Sequence, residues 1–330
     1  MESADVIVLG LGPAGAAAAA EAARRGCKVI ALDRKKQAGV PVQCAELVPG
    51  LLDVDAAAVR QRIDAMLTFV EDDAPDRKLD FPGRMLDRAA FDASLVREAI
   101  DAGADCRFGV LFKAIPRIAS KVIIGADGPR SVAGKAIGSV NRELVETRQI
   151  TVPLLAPHSA TDIFLSAGIR GGYGWLFPKG DVANLGAGVV PAQKRSLKAI
   201  VERLHRKLES ERRVGAKILA TTGGAIPVGG MLKPTAFLGS TLVLLAGDAA
   251  GLANPVTGAG IASAVHSGRL AGEAAAEYLS KGSTSYEEDL EDLFKSALER
   301  ARRRRLELME SPMRKSHLRR GWIAYPEYWQ

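Results

Sequence analysis

The sequence predicts an α/β fold: a doubly wound sheet assembled from discontinuous segments, an antiparallel sheet set between its halves, and a helical C-terminus. Three observations predict it. A strand, a glycine loop, a helix and a second strand follow one another from Asp5 to Asp33. Two short apolar runs ending in glycine turns, VIIGADG and LVLLAGDAAG, lie far apart in the chain. Between them, apolar and polar residues alternate in short runs divided by turn residues.

Taken in order, VIVLG is a buried strand, GLGPAG a tight turn, the alanine-rich stretch a helix ending near Gly26, and KVIALD the next strand, which makes a βαβ unit. After a loop rich in Gly, Pro and Gln, residues Asp87 to Ala102 read as a helix with Phe91, Leu95, Val96 and Ile100 at helical spacing. VIIGADG (Val122 to Gly128) and LVLLAGDAAG (Leu242 to Gly251) are two strands of one sheet. DIFLSAG, YGWLFPKG and NLGAGVV alternate as antiparallel strands, with Pro178 to Asp181 as a hairpin turn. From Ser267 the pattern is helical, with Leu290, Phe294, Ala297 and Ala301 on one face. These readings divide the chain into a discontinuous nucleotide-binding domain (1–138 and 241–275), a substrate domain (139–240) and a helical C-terminal region (276–330).

Composition narrows the function. A 47% hydrophobic and 25% charged chain of 330 residues is globular. Three cysteines, Cys27, Cys44 and Cys106, and four histidines form no CxxC pair, which argues against a disulfide framework or a metal site and favours a reducing cytoplasm. The apolar N-terminal run follows Glu2 and Asp5 rather than a basic segment, so it reads as core and not as a signal peptide. Glycines, prolines and charges interrupt every stretch that approaches the length of a membrane span. The net charge of +7 is concentrated near the C-terminus, but 5% aromatic content and the lack of a nucleic-acid-binding signature argue against nucleic acid as a partner.

Gly10, Gly12, Pro13, Ala14 and Gly15 lie in GLGPAG between a strand and a helix. Missing side chains there let the backbone turn sharply and a diphosphate approach the helix N-terminus. Asp33, with Arg34 beside it, ends the next strand, where a carboxylate accepts hydrogen bonds from a ribose hydroxyl. Strand, loop, helix and distal acid together point to a Rossmann-like dinucleotide site. A second block, GDAAGLANPVTGAGIASA, places Gly247 and Asp248 at a strand end and Pro255, Gly258, Gly260 and Ile261 at a helix start. Its carboxylate suits polyol hydroxyls, and its loop amides suit an electron-rich ring edge. By itself this block is also an ordinary strand-loop-helix connection. A third, GADGP (Gly125 to Pro129), alone reads as a turn.

Together these blocks resemble the FAD-dependent geranylgeranyl reductase family, within the larger flavoprotein group of aromatic hydroxylases and halogenases. The likeness also includes PVQCAELVP around Cys44, DRAAFDASL from Asp87, YGWLFPKGDVANLGAG from Tyr173 and the terminal WIAYPEYW. The cysteine segment and YGWLFPKG are the parts that point to the reductases. The resemblance implies that Gly10, Gly12, Pro13, Ala14, Gly15, Asp33 and Arg34 hold the ADP portion of FAD, and that Arg88 and Asp127 lie along the cofactor. It implies Gly247 and Asp248 at the ribityl-diphosphate, the loop from Pro255 to Gly260 with Ile261 against the flavin, and Cys44 and Glu46 at its reactive side.

The implied reaction is hydride transfer from the flavin to carbon-carbon double bonds of a geranylgeranyl or other isoprenoid chain, free or on a lipid. An isolated alkene needs a proton before or with the hydride, so an acid near the flavin is required; Cys44 or Glu46 is the candidate. Read without the resemblance, Cys44 is a small buried hydrophobe and Glu46 a solvated loop residue. Tyr173, Trp175 and Phe177 project to one side of a strand, either lining an apolar substrate pocket or packing the sheet. The electron donor is open between NAD(P)H and reduced ferredoxin or another donor protein. The basic end, Arg300, Arg302 to Arg305, Arg314, Lys315, Arg319 and Arg320, precedes Trp322, Tyr325, Tyr328 and Trp329, a pattern for peripheral contact with anionic lipid or for a solvated helix face. Rival readings are an NAD(P)H-dependent flavin monooxygenase of the aromatic hydroxylase type and a non-catalytic flavin-bound membrane-association factor.

Overall fold

Short strands in which every side chain is buried belong in a sheet covered on both faces. Strand β1 (Val6–Leu9) is of this kind, as are β2 (Val29–Asp33) and a later VIIG strand. The computed structural model describes residues 2–50 and 52–330. The remaining strands are β3 (Leu47–Pro49), β4 (Val59–Val70), β5 (Asp76–Leu86), β6 (Asp105–Phe108), β7 (Val122–Gly125), β8 (Leu144–Pro153), β9 (Ala160–Leu165), β10 (Gly174–Lys179), β11 (Val182–Val189), β12 (Ala220–Thr222), β13 (Ala225–Pro227), β14 (Thr235–Leu238) and β15 (Thr241–Leu245). The first sheet runs β14-β15-β7-β1-β2-β6, parallel from β15 to β6 with β14 antiparallel at its edge. β7 and β15 are therefore neighbours, as their matching sequence forms require.

Helix α1 (Pro13–Arg24) crosses from β1 to β2 and lies against α2 (Arg88–Asp101) and the long α5 (Ile261–Lys281), which follows α3 (Val132–Ala136) and α4 (Leu197–Ser210) in the chain. The alanines of α1 have a steric cause. A Cβ at Gly268 would stand 2.1 Å from the Ala14 carbonyl oxygen, and one at Gly272 2.5 Å from that of Ala18, so the two helix backbones touch where small residues face each other.

The second sheet has nine strands, ordered β12-β8-β11-β10-β9-β4-β5-β3 with β13 also on β8. It is antiparallel except for the parallel β4–β9 pair. Its membership departs from the segment boundaries expected from sequence: β3, β4 and β5 come from the first hundred residues, whereas β14, expected in the substrate segment, joins the first sheet. Sheet pairing follows the tertiary fold and not chain continuity. One face of the second sheet packs on α4, through Leu176, Leu185, Ile200 and Val201. The other, carrying Ile163, Trp175 and Phe177, packs on the C-terminal segment through Trp322, Tyr325 and Tyr328.

Two helical faces differ from expectation. Ile100 at the end of α2 is 52% exposed, although Phe91, Leu95 and Val96 are buried. Between α6 (Tyr286–Leu290) and α7 (Ser296–Glu307), residues Glu291–Lys295 form a π-helical turn, which adds a residue to the repeat. Leu298 consequently takes the buried place predicted for Ala297, and Ala301 follows it inward. Helices α8 (Lys315–Arg320) and α9 (Pro326–Trp329) complete the C-terminal cap, clasped to the β4–β5 hairpin by Lys315–Asp73 (2.6 Å) and Tyr325–Asp76 (2.7 Å). Among the described residues, no helix is long and apolar enough to cross a membrane.

Candidate active site between the two sheets

A cavity of about 500 Å³ opens where the C-terminal ends of the parallel strands meet the second sheet. Brought together on it are Gly12, Pro13, Ala14, Cys44, Glu46, Arg88, Tyr173, Trp175, Phe177, Asp248, Gly258, Gly260 and Ile261. The sequence separates these residues by as much as most of the chain.

The glycine loop has the shape its motif requires. Gly10 adopts φ +94°, and a Cβ there would meet the Ala126 oxygen at 2.4 Å; one at Gly15 would meet the Gly10 oxygen at 1.8 Å. Gly12, in contrast, has open space beside its Cα. No side chain caps the start of α1 or of α5, so the free amides at both helix N-termini are left for a ligand. Asp33 accepts from the Leu11 amide and, with its other oxygen, from the Lys35 amide, both at 2.7 Å. Each carboxylate oxygen keeps a second lone pair for a ribose hydroxyl. Asn254 shapes the opposite loop by accepting from the amides of Val256 and Thr257, each at 3.0 Å. These residues fit a dinucleotide laid from Asp33 across Gly12 to Gly258.

Asp248 lines the cavity beside Arg88. Burial pushes its carboxyl up to about 6, with Arg88 acting in the opposite direction. Arg88 is bonded through two nitrogens to Asp92 at 3.0 and 3.1 Å. Burial opposes its charge, but Cys44 and Asp92 outweigh that and raise its pKa. Asn141 ties two strand ends together, donating to the carbonyls of Asp248 (2.8 Å) and Pro129 (3.2 Å).

Other predicted positions stand back from the cavity. Arg34 is exposed. Asp127 accepts from Ser131 Oγ at 2.5 Å and from the Val132 amide at 2.6 Å, anchoring the start of α3; burial raises its pKa. Pro255 turns its carbonyl to Arg305 Nη1 at 3.2 Å. Gly10 and Gly247 shape turns behind the wall, and Gly15 sits in the first turn of α1.

Cys44 and Glu46 have different surroundings. Cys44 Sγ faces the Arg88 guanidinium and accepts from the Glu46 amide at 3.2 Å. Glu46, 5% exposed, gives its carboxylate to Lys179 Nζ at 2.8 and 2.9 Å, to Asn184 Nδ2 at 2.8 Å and to the Arg88 amide at 3.2 Å. The Glu46 carboxylate thus faces Lys179, Asn184 and the start of α2 and not water, unlike the solvated loop residue that its sequence context alone suggests.

The aromatic side chains form one wall. Tyr173 lies 4.8 Å from Trp322 and 5.8 Å from Trp175, with Phe177 6.2 Å beyond, all between ring centroids. Tyr173 Oη donates to the Thr257 carbonyl at 2.5 Å, tying this wall to the Asn254–Gly258 loop; burial raises its pKa. Met66, Phe81 and Ile163 extend the apolar surface. Trp322, grouped by sequence with surface aromatics, is 1% exposed and belongs to this wall. Sequence reasoning also missed Lys179, which reads as a turn residue, and Gln149, which has no motif; both hold the Cys44 loop through contacts that only the fold creates.

Comparison with known proteins agrees with this geometry. A family model for an FAD binding domain matches residues 5–77. Digeranylgeranylglycerophospholipid reductase 2 of Methanopyrus kandleri is 33% identical over 89% of this chain and 85% of its own length. The digeranylgeranylglycerophospholipid reductase of Methanothrix thermoacetophila is 30% identical over 86% of this chain and 80% of its own. A geranylgeranyl bacteriochlorophyll reductase-like protein from Thermoplasma acidophilum shares the fold with a TM-score of 0.81 at 22% identity, covering 99% of this chain and 98% of its own. The chain is an FAD-dependent oxidoreductase and belongs to the digeranylgeranylglycerophospholipid reductase family of geranylgeranyl reductases.

Proposed function

We propose that the protein reduces isolated carbon-carbon double bonds in the geranylgeranyl chains of a glycerophospholipid. The observation that carries this reading is the continuity of one cavity: dinucleotide-shaped loops at Gly12 and Gly258 open directly onto the apolar wall of Met66, Ile163, Trp175 and Phe177. FAD supplies the hydride when bound. Gly10 to Gly15, Asp33, Arg88, Asp248 and Gly258 to Ile261 hold it, and the aromatic wall holds a prenyl segment and excludes water. Adding the lipid anaerobically to chemically reduced protein tests the reading: flavin reoxidation that depends on chain unsaturation supports it, and none with any prenyl lipid contradicts it.

Of the two acid candidates, we assign the proton path to Cys44. Both residues line the cavity, but the Glu46 carboxylate is committed to Lys179 and Asn184. Cys44→Ala should reduce turnover by about a hundredfold while leaving bound FAD unchanged, in keeping with general acid contributions. Unchanged turnover would remove Cys44 from the chemistry.

NAD(P)H and reduced ferredoxin remain the candidate electron donors, and the rate of flavin reduction by each under anaerobic mixing distinguishes them. Peripheral membrane contact is assigned to the outer face of α7 and the following turn. Arg302, Arg303 and Arg314 are exposed there, as are Lys315 at the start of α8, Leu306 of α7 (62%) and Trp329 at the end of α9 (57%). The aromatic part of the expected lipid-facing belt is smaller than the sequence suggests, because Trp322, Tyr325 and Tyr328 are buried. Neutralising Arg302, Arg303 and Arg314 should lower sedimentation with anionic vesicles; equal sedimentation of the variant would contradict this contact.

A further inference from the structure

Glu46 joins β5 through its carbonyl, which accepts from the Leu86 amide at 2.9 Å, but the segment before it, from Val42 to Ala45, carries Cys44 to the cavity without pairing into either sheet. Side chains of the second sheet hold it instead. Gln149 Nε2 donates to the Cys44 carbonyl at 3.2 Å, and Trp175 Nε1 orients that amide by donating to Gln149 Oε1 at 3.1 Å. Asn184 Oδ1 accepts from Thr151 at 3.0 Å, which directs Nδ2 toward the segment, where it reaches the Ala45 carbonyl at 3.3 Å and Glu46 Oε2 at 2.8 Å. Lys179 Nζ holds both oxygens of Glu46.

Glu46 is the link between these contacts and the thiol. Its φ of +70° is a left-handed conformation that a glutamate adopts only where its surroundings impose it. Next to it, the Glu46 amide donates to Cys44 Sγ at 3.2 Å, a hydrogen bond whose direction is set by the backbone of Cys44 and Ala45. The ion pair anchors the Glu46 end of the segment, and the contacts to the Cys44 and Ala45 carbonyls hold the stretch of backbone that makes the hydrogen bond to the sulfur. A buried carboxylate without Lys179 would lack its charge partner and would draw the segment toward water.

We infer that Lys179 and Asn184 are positioning residues which hold the Cys44 thiol at the reacting face by clamping Glu46. The motif YGWLFPKG therefore serves twice, with Tyr173, Trp175 and Phe177 lining the cavity and Lys179 locking the segment opposite them. The consequence for turnover rests on the proton-path role proposed for Cys44; the consequence for the thiol's environment does not.

The test uses FAD-loaded full-length protein with Cys27→Ser and Cys106→Ser, thiols whose pKa values burial raises. Iodoacetamide labelling of Cys44 is followed against pH in Lys179→Met, Lys179→Arg and the double variant Lys179→Met/Glu46→Gln. The double variant leaves no unpaired carboxylate and keeps the test open if Lys179→Met fails to fold. Expected is a labelling rate at Cys44 changed by about tenfold, with a displaced pH midpoint, in Lys179→Met or the double variant. Turnover should fall by a similar factor at little change in KM, as displacement of a reacting group predicts, and Lys179→Arg should restore both. A folded double variant with wild-type labelling rate and pH midpoint would overturn the clamp, whatever its melting temperature. If Cys44→Ala retains full turnover, the proton-path reading fails while the labelling result still decides the clamp.

Discussion

At the scale of single residues, Asp248 makes a pH-dependent contribution whose sign follows from its position. Burial beside the cavity raises its carboxyl from 3.8 to about 6. In the cofactor-free protein the native state holds this proton more tightly than the unfolded chain does. The stability it contributes is present below 3.8 and is lost as the pH rises through about 6. Asp248→Asn should therefore stabilise the apoprotein by about 3 kcal/mol at pH 8 and leave it unchanged at pH 3.5. Urea unfolding at the two pH values checks this, and equal stability of the two proteins at pH 8 would contradict it. If Asp248 makes the ribityl contact that the family resemblance implies, FAD affinity should fall in the same variant. GLGPAG and GDAAG were legible because loop shape depends on local backbone geometry, which glycines record in the sequence. Without the family resemblance, Glu46 was legible only as a solvated loop residue. Its partner Lys179 is supplied by a hairpin that reaches it through the tertiary fold, and no local pattern encodes that distance.

At the scale of elements, the α1–α5 contact determines how the phosphate-binding loop is held. Gly268 lies against the Ala14 carbonyl, one residue before the end of the glycine motif. Gly268→Val should force the helices apart, lower stability by roughly 1–3 kcal/mol and weaken FAD retention. Thermal melting and the bound FAD-to-protein ratio report the two effects, and a variant with both unchanged would show that the helices do not define the loop. The glycine loop and alanine-rich composition made α1 readable, and periodicity made α2 and the strand pair β10–β11 readable. Two features escaped for physical reasons. The π turn at Glu291–Lys295 changes helical phase without a sequence signature, moving the inward position from Ala297 to Leu298. The strands of residues 47–86 cross into the second sheet because pairing, not chain order, decides sheet membership.

At the scale of the molecule, the two sheets divide the work. The parallel sheet presents loops and helix N-termini to a dinucleotide, and the larger sheet presents an apolar wall and the side chains that hold Cys44. Between the wall and solvent lies the C-terminal cap, clasped through Asp73 and Asp76 and contributing Trp322 to the cavity. This explains why aromatic residues beside a basic run are mainly buried: their first role is to close the cavity, while the arginines stay at the surface. A monooxygenase of the same fold would consume oxygen together with NAD(P)H on an aromatic substrate. A structural flavoprotein would hold FAD without acceptor-dependent reoxidation.

The most direct measurement is a single anaerobic turnover of the chemically reduced protein with a digeranylgeranyl glycerophospholipid in deuterated water, followed by product mass analysis. The proposed function predicts saturation of chain double bonds in steps of two deuterium atoms, one delivered from the flavin, whose transferable hydrogen exchanges with the solvent, and one added as a solvent-derived deuteron, matched by flavin reoxidation. Recovery of unaltered lipid, with FAD bound and still reduced, would contradict it.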